Sequence, residues 1–313
     1  MKRTGFILFI TLLLGYMLLF PAESLNASVQ GITLWFRTLL PALLPFIILS
    51  GLLIHTNFIP FLFGIFPSFW RTTLGLSPYG AYAFVLGIFC GYPMGAKLTA
   101  DLLRENCITK NEADYLLTIS NNASPMFLMA YILNQLLHTQ RMVILSFALI
   151  YVSDFLCCMI FRAVYHRFAL PCSGSHSIKK EVSQVPLPEL LDTSIMNGFE
   201  SITRLGGYVL LFNLLAAMIE KILPSGSGIG SLIAAVTELS SGAAKIAQLP
   251  WDFSLRYSII LAATAFGGFS CVLQTHSMIR KTGLSIRMYL AAKVLNGALT
   301  FFLCRLFFAF FHG

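Results

Sequence analysis

Residues 87–126 read GIFCGYPMGAKLTADLLRENCITKNEADYLLTISNNASPM, and they set Gly, Pro, Lys and two adjacent Asn among strongly apolar neighbours. Lipid offers no partner to a backbone or amide group, so such residues at membrane depth must face protein or a cavity. GYPMG breaks an apolar helix, and Lys97 to Asn106 resumes as an amphipathic one. Together they form a re-entrant hairpin that enters, turns and leaves on the same side. Thr109 is the N-cap of the next helix, and Glu112 three residues later completes a capping box. That helix runs to about Leu137 with NNASP in its middle. At 1.5 Å per residue, Asn121 to Pro125 lie roughly 10–17 Å beyond Asp114, near the midplane of a ~30 Å core.

Outward from this stretch the chain stays apolar. Of 313 residues, 57% are hydrophobic and 11% charged, against ~25% charged for a soluble domain. This composition excludes a soluble enzyme. The net charge of +8 comes from Lys and Arg scattered between apolar runs, which is the pattern of a topology signal and of contact with anionic headgroups. Nucleic acid is not expected as a partner. The seven cysteines show no CxxC spacing and the six histidines no HExxH, so the cysteines read as small core residues and no metal or cofactor is expected.

In chain order, Lys2 and Arg3 precede the apolar run Gly5 to Pro21, a first transmembrane helix rather than a cleaved signal peptide. Ala22 to Gln30 lacks Lys and Arg and reads as an outer loop. Gly31 to His55 carries Arg37, Pro41 and Pro45 and should kink. Phe58 to Trp70 is too short to span and reads as interfacial. Beyond the hairpin and broken helix, Met142 to Tyr165 is a cleaner span with one buried acid, Asp154, expected to pair with Lys293 or Arg305. Arg162 to Leu190 reads as an exposed polar linker. Ser194 to Glu220 is interrupted at Gly206 and Gly207, Gly228 to Leu249 is broken by Gly and Ser, Ser254 to Met278 carries FGGFS, and Arg287 to Phe311 closes the chain.

The two halves match in kind. Arg37 with Phe46 corresponds to Arg204 with Phe212, GYPMGAKLTADL to LSSGAAKIAQL with Lys97 aligned on Lys245, and NNASP to FGGFS. With the N-terminus cytoplasmic and about seven full spans, only Arg141, Lys221 and Arg256 fall in outer loops, as the positive-inside rule prefers. The expected divisions are 1–30 (first helix and outer loop), 31–137 (first repeat), 138–191 (inverting helix and cytoplasmic linker), 192–279 (second repeat) and 280–313 (last helix, ending outside). Inverted repeats with discontinuous helices meeting at mid-depth are a recurrent plan of secondary transporters.

GYPMGAK followed by a polar helix and NNASP, with the later LLFNLL, VTELSSG and LQTHSMI, resembles the YlbJ-type sporulation integral membrane proteins. Through them it resembles the wider nucleoside-recognition or Gate-domain group. The resemblance covers about residues 30 to 300. It implies an all-α polytopic protein of the cell membrane with two Gate-like halves, linked to sporulation and with no established solute.

The candidate binding residues lie at the interruptions. Gly91, Pro93 and Gly95 open the backbone at the first hairpin tip; a tight packed turn is the alternative. Lys97 and Lys245 could hold an anionic group, or Lys97 could snorkel to the headgroups. Asn121, Asn122 and Ser124 could bind a solute, or bond helices to one another. Glu238, with Ser240 and Ser241, suits ion coupling, or pairs structurally with Lys245. Gly267 and Gly268 open the last break. No GxSxG or Walker motif is present, so neither lipid hydrolysis nor ATP-driven work is expected of this chain. The expected partners are the bilayer, a small solute or ion, and a membrane partner or second copy; a structural role in a sporulation membrane is the rival to transport.

Overall fold

The computed structural model describes residues 3–54, 58–168, 186–222 and 228–311. Among them there are helices and no strands. α1 (Arg3–Leu19) turns by 110° into α2 (Pro21–Leu34). Pro21 sits at the first helical position, where its missing N–H costs nothing and its fixed φ favours the helix. The expected outer loop at residues 22–30 is therefore helical. A π segment, Trp35–Leu39, leads into α3 (Leu40–Ile54), with the Leu40 N–H reaching back to the Trp35 carbonyl. Pro41 has no N–H to give the Arg37 carbonyl, and a wider turn here absorbs the missing bond.

α4 (Phe58–Phe63) and α5 (Pro67–Thr73) are the short pieces expected there, and α5 meets α6 (Pro78–Cys90) at 71°. The chain breaks at Gly91 and resumes as α7 (Met94–Arg104). Although its sequence is amphipathic, α7 is enclosed by the other helices, and Met94 to Ala100 are all buried. α8 (Lys110–Ile119) stops at Ser120, and the helical path resumes as the π segment Phe127–Leu136. Thr109 caps α8, accepting from the Glu112 N–H at 3.2 Å. The second half of the expected capping box does not form: the Glu112 carboxylate instead accepts from the Ser77 N–H at 2.7 Å.

α9 (Val143–Phe168) and α10 (Leu187–Ile222) flank the polar linker, whose residues 169–185, with Cys172, Lys179 and Lys180, lie outside the described residues, as do Lys2 and His55. α10 is one unbroken 36-residue helix, so Gly206 and Gly207 do not interrupt it. Gly206 is a notch: a Cβ there would lie 2.7 Å from the Trp35 ring, whose Nε1 donates to the Ile202 carbonyl at 2.7 Å. α2 and α3 dock on α10 through this contact. The remaining helices are α11 (Gly228–Thr237), α12 (Leu239–Gln248), α13 (Phe253–Phe266), α14 (Gly268–Ile279) and α15 (Ile286–Phe311), and α13 packs along α15. The second hairpin breaks at Thr237–Glu238, earlier than the SSG expected; Gly242 lies inside α12, against the backbone of Ala235.

Among the described residues, four helices are long and apolar enough to cross a bilayer, or up to six if each bent pair is one span. This is fewer than the sequence count of about seven. Residues 109–137 form two ten-residue halves, and the apolar part of α3 covers only Leu43–Ile54. Large apolar side chains are open on the outside, Leu18 at 82% and Ile144 at 84%, as a lipid-facing surface requires. Five of the described cysteines are buried and Cys271 is half-buried.

Backbone approaches backbone closely where the first hairpin meets the first break. A Cβ at Gly95 would lie 1.9 Å from the Ser120 carbonyl oxygen, whereas one at Gly207 would meet nothing within 4 Å. Gly95→Ala should lower stability by at least about 1–3 kcal/mol, and Gly207→Ala should leave it unchanged or raise it by roughly 0.5–1 kcal/mol. Thermal unfolding of the detergent-solubilised protein compares the two.

Candidate functional site

A helix that stops inside a membrane leaves its last carbonyls and first N–H groups without intrahelical partners. Here side chains from the other interruptions supply them. α13 ends at Gly267, which has φ +85°, and the Tyr92 hydroxyl lies 3.1 Å from the carbonyls of both Thr264 and Ala265. A Cβ at Gly267 would strike that same Tyr92 ring at 2.8 Å. The tip of the first hairpin is therefore seated on the break of the second half.

At the start of α7, the Ala96 N–H points at Asn121 Oδ1, 3.4 Å away. Asn121 Nδ2 donates to Thr275 Oγ1 at 2.8 Å and to the Tyr289 hydroxyl at 2.9 Å. This one amide joins α7, α14 and α15 and is saturated by protein, which is the interhelical role weighed against solute binding. Gly91, with φ +80°, has no room for a Cβ, which would lie 2.6 Å from the Ser124 nitrogen. Ser124 Oγ accepts from the Phe127 N–H at 3.2 Å and starts the next helical turn. Gly91 and Gly95 are thus packed turns against the first break, and Pro93 precedes α7 at a cis Tyr92–Pro93 bond.

In the second half, the Glu238 carboxylate accepts from the N–H groups of Ser240 and Ser241 at 3.1 and 2.7 Å. Its charge is met by the N-terminus of α12, and the pairing with Lys245 does not form. Lys245 bonds Glu220 at 2.6 Å toward one end of the bundle, away from Glu238. Tyr131, beyond the first break, donates to the Ser240 carbonyl at 2.9 Å, and Gly268 packs on Leu239 and Ala235. Lys97 neither snorkels nor faces Lys245: it bonds Asp101 at 2.7 Å within α7. It lines a void of about 10 Å³ with Leu43, Ile47, Pro93, Met94 and Leu205, roughly the room of one water at most.

The residue that sequence reading left out of the site is Lys293. It is 1% exposed. Its ammonium donates to Asn122 Oδ1 and faces the rings of Tyr92 and Tyr289 at 5.1 and 5.9 Å, a cation–π arrangement that strengthens as water is excluded. Asn122 Nδ2 returns to the Ile119 carbonyl, at the end of α8, at 3.1 Å. Asp154 forms no direct ion pair with Lys293 or Arg305. Its Oδ1 accepts from Asn296 Nδ2, Ser153 Oγ donates to Asn296 Oδ1 at 2.6 Å, and Arg305 turns to Ser254. A lysine lying seven positions into a terminal apolar helix, about 10 Å along its axis, is too deep for an ordinary headgroup anchor. That depth was the available signal.

These features define an all-α polytopic membrane protein whose interrupted helices close on a buried lysine. Within that class, the chain is similar to the sporulation integral membrane protein YlbJ of Bacillus subtilis, at 22% identity over 309 residues, covering 88% of this chain and 76% of that protein. No family model and no solved structure matches. The likeness agrees with the YlbJ-type resemblance of the sequence motifs, and nothing in the comparisons extends it to the Gate or nucleoside-recognition group.

Asn122→Leu strands a buried ammonium and should cost roughly 3–5 kcal/mol. Adding Lys293→Met should recover part of this, with a coupling of about 0.5–3 kcal/mol. Thermal unfolding of the wild type, both single variants and the double variant closes the cycle.

Proposed function

We propose that the protein is a gate-type transporter acting in spore formation, moving a small solute or ion between two inverted halves, residues 31–137 and 192–279. The observation that carries this reading is the chain of contacts joining the four interruptions, two from each half: Tyr92 on the α13 break, Ala96 on Asn121 and Tyr131 on Ser240, with Lys293 bonded to Asn122 at the first break. Polar backbone at membrane depth is tolerated where protein or a path encloses it, and paired broken helices at corresponding positions point to such a path. The void lined by Pro93, Met94 and Lys97 at the hairpin tip has room for about one water, as a closed conformation would have. Arg71, Arg104, Lys110, Arg162, Lys281 and Arg287 gather at the end where α5, α8 and α9 meet the α14–α15 turn; there Arg162 bonds the Thr72 and Thr73 carbonyls and Asp114 the Ser285 N–H. The positive-inside rule assigns that end to the cytoplasm.

A second reading, a structural or assembly protein of a sporulation membrane, is favoured by the saturated hydrogen bonding of Asn121. The two readings separate in a Bacillus subtilis strain lacking YlbJ, where the wild-type chain should restore heat-resistant spores. Glu238→Gln and Lys293→Gln each keep a hydrogen-bonding group while removing a charge. The transport reading expects normal amounts of both variants in the membrane with spore counts at least about ten-fold lower, as from roughly 1.4 kcal/mol lost at a working site. Spore counts that fall only in step with membrane abundance, or do not fall, support the structural role instead.

A further inference from the structure

Lys293 and Asp154 stand on adjacent helices, α15 and α9, and each is incompletely partnered. The ammonium has three donors, and among the described residues only Asn122 Oδ1 takes one. Asp154 Oδ1 is bonded by Asn296, whereas Asp154 Oδ2 is buried with no hydrogen-bond partner. The two groups are close enough to act on one another's charge but do not touch. A buried carboxylate oxygen left bare beside an ammonium that bonds elsewhere is an expensive arrangement. A proton on that oxygen removes the charge and most of the cost.

We propose that Asp154 is an exchangeable proton site and that its occupancy sets the partner of Lys293, so that proton release unlocks the first break. The site itself stands on the geometry; its use as the coupling ion rests on the transport reading. On loading, a lone pair of the Asp154 carboxylate takes a proton from hydronium, leaving water, and the neutral acid leaves Lys293 on Asn122, the contact present in this structure. On release, the electron pair stays on oxygen and the proton returns to water. The carboxylate then draws Lys293 off Asn122, and Asn122 no longer holds the end of α8.

The other titratable groups around Asp154 and Lys293 are Tyr151, Cys157 and Cys158 on α9, Cys271 on α14, Tyr289 on α15 and Tyr92 at the hairpin tip. Glu238 acts at one remove, through Cys271. Thiols and phenols ordinarily titrate above neutral pH, and both Glu238 oxygens are fixed on backbone N–H groups. Asp154 is the acceptor left over.

Hydrogen–deuterium exchange of the full chain in detergent, corrected for intrinsic rates, tests this between pH 6 and pH 8. Exchange across residues 119–126 should rise about ten-fold with pH in the wild type, the effect of a one-unit difference in proton affinity between locked and unlocked forms. Asp154→Asn, which imitates the loaded acid, should hold the slow rate throughout, and Lys293→Met should be insensitive to pH. A wild type with no pH response, or an Asp154→Asn variant that keeps the wild-type response, overturns the proposal. Because this readout needs no solute and no spores, it stands or falls separately from the transport reading.

Discussion

The constraint on which the structure depends is that a helix interrupted within the membrane must find partners for its bare ends in protein. Four interruptions would leave carbonyls and N–H groups facing hydrocarbon, at several kcal/mol for each unsatisfied group. The fold resolves this by bringing the interruptions together, so that some caps come from another break and some from the broken segment itself. Tyr92 serves the end of α13, Asn121 the start of α7, and Tyr131 a carbonyl in the first turn of α12. Glu238 and Ser124 cap their own segments. The glycines at 87, 91, 95 and 267 follow from that convergence, because backbone can approach backbone only where no Cβ intervenes. Hairpin packing, helix breaks and polar burial are thus aspects of one solution.

The same convergence places charge where charge is costly. Lys293 is tolerated because two phenol rings and an amide oxygen surround it. The elements that supply them are the first hairpin, the end of α8 and α15. A site so arranged ties three elements together through one strong local contact. That property suits a protein that has to open, and it is also what a purely structural clamp would need.

Much of the fold could be read from residues that conflict with their surroundings. GYPMG, NNASP and FGGFS are conspicuous in an apolar chain, and each marks a real interruption. The legibility fails where one residue type has two uses. Gly206 and Gly207 look like a break, but Gly206 makes room for Trp35, and a long apolar helix tolerates both. The second hairpin aligns with the first on its glycine, yet its break is set by the capping carboxylate of Glu238. Glu112 completes the pattern of a capping box, but a better donor, the Ser77 N–H, reaches it from a helix far away in sequence. Tyr92, Thr275 and Tyr289 carry no local signal, since a hydroxyl in an apolar helix is ordinary until its partner is known. Lys293 shows in the sequence by depth alone, and charge pairs Asp154 with it or with Arg305; its partner Asn122, 171 positions away, carries no signal of the contact.

The bond between Lys293 and Asn122 spans 171 positions of chain, and those from Tyr92 to the α13 carbonyls span 172 and 173. During synthesis, the first hairpin and its neighbouring break therefore leave the ribosome well before any of the groups that will complete them exist. For that interval the nascent first half must wait at the translocon or at the bilayer edge with polar ends uncovered, and only arrival of the last helix closes it. Biogenesis of this protein is accordingly committed late, and a chain interrupted before α13 leaves the polar ends of its first half without the groups that cover them.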